Sequence, residues 1–296
     1  MVKESMPLIS LIFPAKNEGD YVRSTIESAL KVKTNYPIEI IVVDDGSIDG
    51  SCDFITSFQH DNNTRIELIR TDGIGLARAK NLGAEYSKGE YMIFGDAHLI
   101  FEDFWIDLLI EPIRSKQADG TTPGIAPTTT PNVAGYGQTL NRELGIQWNA
   151  RKESLFETAI LPGGCFAVSR NVFFDIGGFD NSFKVWGYED VDFSLKMWLF
   201  GYRCLAQPKV KVLHLFRQNF PYQVSWEDTY YNMLRMAYSH FNEGRIEKTK
   251  KLINNSETVY IEALVIQSGV LEQRTANFAR RKYEDDWFMG KFAIPF

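Results

Sequence analysis

The stretch Tyr91-Met-Ile-Phe-Gly-Asp-Ala-His98 decides how the rest of the chain is read. Residues 91–94 form a short apolar run, entered through Gly89 and left through Gly95. Such a run reads as a buried strand that stops at a tight turn. Asp96 and His98 follow at once, one small residue apart. In an extended chain, positions two apart point the same way. A carboxylate and an imidazole on one side, at the end of a buried strand, suit a divalent cation. The alternative is a turn capped by Asp96, with His98 on the surface. Other parts of the chain weigh between the two.

Upstream, residues 8–13 are a second apolar run, ending at Pro14-Ala-Lys-Asn-Glu18. Tyr21, Val22, Ile26, Ala29 and Leu30 then recur at helical spacing. Residues 38–43 are β-branched and nearly continuous, as in a parallel strand covered on both faces. They run into Asp44-Asp-Gly-Ser47, and a helix through Phe58 is expected after Asp49. Residues 66–69 read as a strand and residues 76–86 as an Ala-rich helix carrying Arg78 and Lys80. Alternating strands and helices with short links predict an α/β fold, a doubly wound and mostly parallel sheet. The ends of the strands before Asn17, Asp44 and Asp96 are all polar. Ligands bind outside the carboxyl ends of such strands, so a crevice for a polar ligand is expected there.

A dinucleotide site would want GxGxxG after the first strand. Pro14 to Glu18 supplies none, Gly73 and Gly75 do not complete it, and a P-loop is absent. Side chains and carbonyls would therefore hold a nucleotide whose phosphates are neutralised by a cation.

Downstream, residues 115–137 shift to Gly, Thr and Pro and read as loop with one strand at most. A boundary is placed here: residues 1–115 as the nucleotide half, 116–220 as the second half, 221–296 as a helical extension. Trp148 reads as a core or edge tryptophan. Leu161-Pro-Gly-Gly-Cys-Phe-Ala-Val168 is a turn feeding a strand, its glycine pair allowing close backbone approach or marking a bulge. Trp186-Gly-Tyr-Glu-Asp-Val-Asp192 opens a helix running to Phe200 and stopped by Gly201. Acids in its first turn, Glu189 and Asp190, favour the helix dipole; they could equally face a substrate. In residues 209–216, Val210, Val212 and His214 share one strand face. A histidine ending a valine row is ordinarily a satisfied core residue. Helices are expected over residues 226–243 and 248–288.

The 296 residues, 44% hydrophobic and 24% charged, describe an ordinary globular chain. A net charge of -6 excludes a broad basic nucleic-acid face. Cys52, Cys165 and Cys204 are odd in number and widely spaced, as expected of reduced thiols. No apolar run approaches the roughly 18 residues of a membrane helix, and residues 1–7 show no signal-peptide core. The expectation is a cytoplasmic protein, with peripheral membrane contact allowed and oligomers allowed through the C-terminal helices.

Several motifs together resemble known enzymes. Phe13-Pro-Ala-Lys-Asn-Glu18 and Val42-Val-Asp-Asp-Gly-Ser-Ile-Asp49 resemble family-2 glycosyltransferases of GT-A fold. Asp96-Ala-His98, Gly163-Gly164, Trp186-Gly-Tyr-Glu-Asp190 and Val212-Leu-His-Leu-Phe-Arg217 resemble the catalytic domain of polypeptide N-acetylgalactosaminyltransferases. Those carry D-S-H, A-G-G, W-G-G-E-N and V-G-H-V-F-R in the same order. The likeness covers about residues 8–217.

It implies a transferase using a UDP-sugar and Mn²⁺ (or Mg²⁺), held by Asp96, His98 and His214. Pro14, Ala15, Asn17 and Glu18 would line the base pocket, and Asp44 or Asp45 would bind uridine. Arg78 or Lys80 would contact the donor phosphates or the metal-bound aspartate, and Ala97 would lie along the donor. Gly163, Gly164, Trp186 and Gly187 would face a peptide, protein or glycan acceptor. The polypeptide transferases carry Asn where this chain has Asp190, and they retain anomeric configuration. Inverting relatives with W-G-x-E-D use that Asp as general base, so the resemblance implies inversion with Asp190 as base and Glu189 on a hydroxyl. The helical tail would stand where a lectin domain often follows. Two rivals remain: a nucleotidyltransferase, which wants a glycine-rich basic loop after strand one, and a non-catalytic sugar-nucleotide binder, which could lose Asp96, His98, His214 or Asp190.

Overall fold

Strand β1 (Ile9–Ala15) lies at the middle of one half of the main sheet, paired in parallel with β2 (Ile38–Asp44) on one side and β4 (Tyr91–Gly95) on the other. β3 (Arg65–Arg70) extends the sheet beyond β2. The computed structural model describes residues 6–58, 64–253 and 257–296. Residues 1–5, within the stretch read for a leader, and residues 254–256, inside the helix expected over 248–288, lie outside the described residues.

The alternation of side chains explains why both faces are covered. Ile9, Leu11 and Phe13 join Ile40 and Val42 in one core under α1 (Tyr21–Lys31) and α3 (Trp105–Arg114). Ile12, Ile41 and Val43 enter the other core with α2 (Leu76–Tyr86). Strands buried on both faces are near-continuously apolar, as residues 38–43 are. The helix expected after Asp49 is instead a short 3-10 turn, Asp53–Ser57.

The remaining strands continue the same sheet, in the order β10-β12-β6-β11-β4-β1-β2-β3. They are β5 (Leu99–Ile100), β6 (Gly120–Pro127), β7 (Gly135–Tyr136), β10 (Phe156–Glu157), β11 (Cys165–Ser169) and β12 (Cys204–His214). β8 (Gln138–Leu140) and β9 (Ile146–Trp148) form a separate hairpin. β11 runs antiparallel to β4 and β6, whereas β6 and β12 are parallel.

β6 is the one strand allowed for within the loop read over residues 115–137, and it is longer than that composition suggests. Its sequence, Gly-Thr-Thr-Pro-Gly-Ile-Ala-Pro, looks like a breaker, yet it lies between β11 and β12. The small residues are needed there: a Cβ on Gly120 would stand 2.8 Å from Leu161 Cδ1, and one on Gly124 would stand 2.5 Å from the Tyr136 ring.

Two helices follow β11. α4 (Arg170–Asp175) is capped by the Ser169 hydroxyl, and α5 (Glu189–Phe200) is buried on almost every side. The C-terminal region is a cluster of helices, α6 (Trp226–His240), α7 (Glu243–Lys250), α8 (Thr258–Gln267), α9 (Val270–Arg280) and α10 (Asp285–Lys291). The single helix expected over 248–288 is thus broken, once at Gly269, whose φ of 76° ends one helix and starts the next. The cluster packs on α5 through Trp198 with Trp287 and Phe292. A buried His240–Asp192 contact of 2.8 Å and an Arg235–Asp180 pair of 2.8 Å join α6 to the sheet domain. All three cysteines are buried and unpaired. No helix among the described residues is long and apolar enough to cross a membrane.

Candidate active site and metal centre

Register brings the candidate ligands together. Gly95 pairs with Cys165, and the Asp96 N–H donates to the Gly164 carbonyl at 3.0 Å. This fixes the Asp96 carboxylate beside the Gly163–Gly164 turn. β5 pairs antiparallel with the end of β12, setting His214 opposite Leu99, next to His98. The His214 Nε2 lies 2.9 Å from Asp96 Oδ2, and His98 Nε2 lies 3.8 Å from the same oxygen. One ligand atom from each of the three residues falls within 4.8 Å of the others. Burial would push the Asp96 carboxyl up, but the His214 hydrogen bond and the charges of His98, His214 and Lys80 hold it well below the ordinary range.

Whether a metal fits can be judged from the donors. A ligating imidazole ordinarily has its second nitrogen tied down. His98 Nδ1 sits 2.9 Å from Glu18 Oε2, and the Arg217 guanidinium donates to that same oxygen at 2.6 Å. This leaves His98 Nε2 aimed at Asp96. His214 Nδ1 is buried with no hydrogen-bond partner among the described residues, so its outer shell is less complete. One carboxylate and two imidazoles, converging at a polar cleft, suit Mn²⁺ better than an all-oxygen Mg²⁺ site.

The three ligands floor a cleft of about 720 Å³. Pro14, Ala15, Glu18, Asp45, Ala97, Gly163, Gly164, Trp186, Gly187, Glu189 and Asp190 all line it, as expected from the sequence. Four expected residues do not. Asp44 is buried beneath Arg70, 2.8 Å away, and accepts from the Ser47 N–H. Asn17, at φ 54°, turns its side chain to the Ile48 N–H and the Pro221 carbonyl. Leu76 and Ala79 are the α2 residues that face the cleft. Arg78 therefore points elsewhere around the helix, to the Asn181 carbonyl. Lys80 is fully buried behind the cleft, 3.1 Å from Glu189 Oε1 and 3.2 Å from the Gly163 carbonyl. Burial alone would push its ammonium down; Glu189, Asp96 and Asp190 outweigh this and hold it above its ordinary value. Lys80 therefore supports Glu189 and the glycine turn from behind.

Asp45 does line the cleft, with its carboxylate engaged by the Thr71 hydroxyl (2.6 Å) and the N–H groups of Ile74 (2.6 Å) and Gly75 (3.0 Å). It holds the 71–75 loop as one wall.

The glycine pair joins two centres. A Cβ on Gly164 would stand 3.4 Å from Asp96 Oδ2 and 3.3 Å from the His214 ring. One on Gly163 would stand 3.1 Å from Glu189 Oε1 and 3.2 Å from Asp190 Oδ2. Adjacent Cα atoms are about 3.8 Å apart, so the candidate metal ligands and the Glu189–Asp190 pair flank one short turn. Asp190 accepts from the N–H groups of Gly163 and Val191, each at 2.8 Å. Burial, then the charge of Glu189, nevertheless push its carboxyl up to about 7. A proton acceptor poised near neutrality suits general-base work.

The outer cleft also holds Lys16 and Phe220, which sequence reasoning missed, and Trp148, which it weighed between a substrate-stacking residue and a core or edge tryptophan. Lys16 lies 3.9 Å from Asp45. Trp148 is 40% exposed and edge-on to Phe216, so it lines the cleft and is not a core residue. Phe220 packs against Trp186 with ring centroids 4.8 Å apart. Isolated aromatics carry no local signal that separates a cleft wall from a core.

The doubly wound sheet, with an acidic and imidazole cluster at its carboxyl edge and an acid-led helix across a glycine turn, is the GT-A fold. The chain belongs to glycosyl transferase family 2, whose profile matches residues 10–177. A second profile, the N-terminal domain of galactosyltransferase, matches residues 152–218. Polypeptide N-acetylgalactosaminyltransferase 8 of Drosophila melanogaster is 32% identical over 317 residues, covering 99% of this chain and 52% of that protein. Polypeptide N-acetylgalactosaminyltransferase 11 of Xenopus tropicalis is 27% identical over 263 residues, covering 80% and 43%. The chain thus spans about half the length of the curated relatives it matches. Among solved structures, GalNAc-T7 with UDP, GalNAc and Mn²⁺ superposes with a TM-score of 0.77 at 21% identity, covering 98% of this chain and 57% of that one.

Proposed function

We propose that this chain is a metal-dependent glycosyltransferase that moves a sugar from a UDP-sugar to a hydroxyl of a peptide, protein or glycan. The observation carrying the proposal is the convergence of Asp96, His98 and His214 in a cleft that Glu189 and Asp190 also line, just across the Gly163–Gly164 turn. The names of the curated relatives favour N-acetylgalactosamine as the sugar, and the GalNAc-T7 complex with UDP and Mn²⁺ supports the donor and metal.

Asp96, His98 and His214 would hold Mn²⁺. A bound divalent cation neutralises the charge that develops on a departing diphosphate. Pro14, Ala15 and the loop stapled by Asp45 would enclose the nucleoside. Lys16 is placed to meet donor oxygens at the same wall. Lys80 pairs with Glu189 at 3.1 Å, and Glu189 would accept a hydrogen bond from a sugar or acceptor hydroxyl.

Asp190 would accept the proton of the attacking hydroxyl as the new bond forms at C1 and the bond to the diphosphate breaks. Attack from the face opposite the leaving group gives inversion. Asn in this position could not take that proton. A positioned base contributes about 10²–10⁴ in rate.

A second reading is retention, which the resemblance to the polypeptide transferases favours. The anomeric configuration of the product by NMR separates the two, and retention removes Asp190 as an inverting base. The proposal as a whole is tested by screening UDP-sugars for turnover with and without Mn²⁺. Loss of all turnover dependence on metal would overturn it.

A further inference from the structure

We propose that Asn232, on α6, is a positioning residue that sets the acceptor wall and the start of α5. The inference rests on the transferase reading above. Asn232 is fully buried. Its amide nitrogen donates to three carbonyls in one short segment, those of Lys184 (2.9 Å), Trp186 (3.2 Å) and Gly187 (3.0 Å). Its carbonyl accepts from the Lys184 N–H at 2.8 Å. Three carbonyls on one side and an N–H on the other define the orientation of the amide.

The segment needs such a restraint. Gly187 has φ 100°, and Tyr188, the residue before α5, is left-handed at φ 65°. A left-handed non-glycine residue persists where its surroundings over-determine it. Tyr188 is followed at once by Glu189 and Asp190, and Trp186 precedes it in the cleft wall. Among the described residues the other backbone ties on this segment are the Leu76 N–H to the Val185 carbonyl, at 3.0 Å, and the Asp192 N–H to the Tyr188 carbonyl, at 2.9 Å. The Asn232 side chain therefore supplies most of the hydrogen bonds that fix the backbone from Lys184 to Gly187, the stretch that carries Trp186 and leads into the α5 acids. It follows that α6, the first element of the helical extension, is part of the site's scaffold.

The metal ligands are held differently, by β4, β5 and β12, so Asn232 should not affect them. This separates positioning from general stability.

The full chain would be labelled with 5-fluorotryptophan. Its six tryptophans give separate ¹⁹F signals, with that of Trp186 assigned through Trp186→Phe. Asn232→Asp keeps the acceptor but loses the three donated bonds and sets an oxygen against three carbonyls; Asn232→Ala loses all four. Leu234→Ala, a buried position on the same helix that makes none of these bonds, is the stability control.

Both Asn232 variants should shift or broaden the Trp186 signal, leave that of buried Trp105 in place, and keep UDP affinity in Mn²⁺ within about twofold. Donor turnover, read as UDP release from UDP-N-acetylgalactosamine, should fall at least tenfold in kcat with donor KM within about twofold. Leu234→Ala should lower thermal stability with the Trp186 signal and kcat kept. If Asn232→Ala does not fold, the isosteric Asn232→Asp is read alone. An unmoved Trp186 signal, or equal effects from Leu234→Ala, overturns the inference. Absence of UDP binding in the unaltered protein overturns the transferase reading instead, and the fluorine result still stands.

Discussion

Glu18→Ala should weaken Mn²⁺ binding although Glu18 is not among the three candidate ligands. One carboxylate oxygen of Glu18 accepts from the His98 ring at 2.9 Å and from Arg217 at 2.6 Å. Its side chain is only 7% exposed, so solvent cannot replace it freely. Losing an outer-shell partner of a ligating histidine costs about 10–100-fold in metal affinity, or about 1.4–2.7 kcal/mol. Each charge-assisted bond lost is worth about 1.5–3 kcal/mol to the local structure. Part of this is regained, because Arg217 is 20% exposed and can turn to water. Glu18→Gln keeps one neutral acceptor and should lie between Ala and the unaltered protein. The assay is the electron paramagnetic resonance signal of free Mn²⁺, titrated with protein in saturating UDP. Folded Glu18→Ala protein with Mn²⁺ affinity within twofold of normal would refute the claim that Glu18 orients His98.

Other consequences follow from the same geometry. Burial and the neighbouring Glu189 disfavour the ionised form of Asp190, so it carries its proton below about 7 and can accept one only above it. kcat/KM should therefore fall about tenfold per unit as pH drops below 7, and Asp190→Asn should lose at least about 10² in kcat together with that pH limb. Gly164→Ala crowds Asp96 and His214 and should weaken Mn²⁺ binding, while Gly163→Ala crowds Glu189 and Asp190 and should lower kcat with Mn²⁺ affinity kept; titration and steady-state rates on the two variants check this. Lys80→Met leaves Glu189 buried without its cation and should cost about 3–5 kcal/mol in urea unfolding, with Glu189→Gln in the same chain recovering part.

The first four strands were legible because buried β-branched runs stand between glycine and proline turns. β6 was legible only as one strand somewhere in a loop, because Gly120, Pro123, Gly124 and Pro127 read as breakers while the crowded space beside Leu161 and Tyr136 demands small residues. Most of the motif residues singled out in the sequence line one cleft, because the motifs are short and lie at strand or helix ends. His214 could be linked to Asp96 only through a resemblance; the tie itself depends on β5 pairing with β12, two residues of strand no window detects. Through the resemblance, Arg78 or Lys80 reads as a contact to the phosphates or to the metal-bound aspartate. The helical turn buries Lys80 behind the cleft, where its partner Glu189 is 109 residues away in the chain. Asn232 carries no local signal at all, since a lone asparagine in an aromatic helix shows its purpose only through partners 45–48 residues upstream.

The central claim is a metal-dependent UDP-sugar site built on Asp96, His98 and His214. Its most direct test is isothermal titration of UDP into the protein, once with Mn²⁺ and once with the metal chelated, repeated for His214→Ala. The account requires UDP affinity to rise at least tenfold with Mn²⁺, and that gain to vanish in His214→Ala. UDP affinity indifferent both to the metal and to the loss of His214 would contradict it.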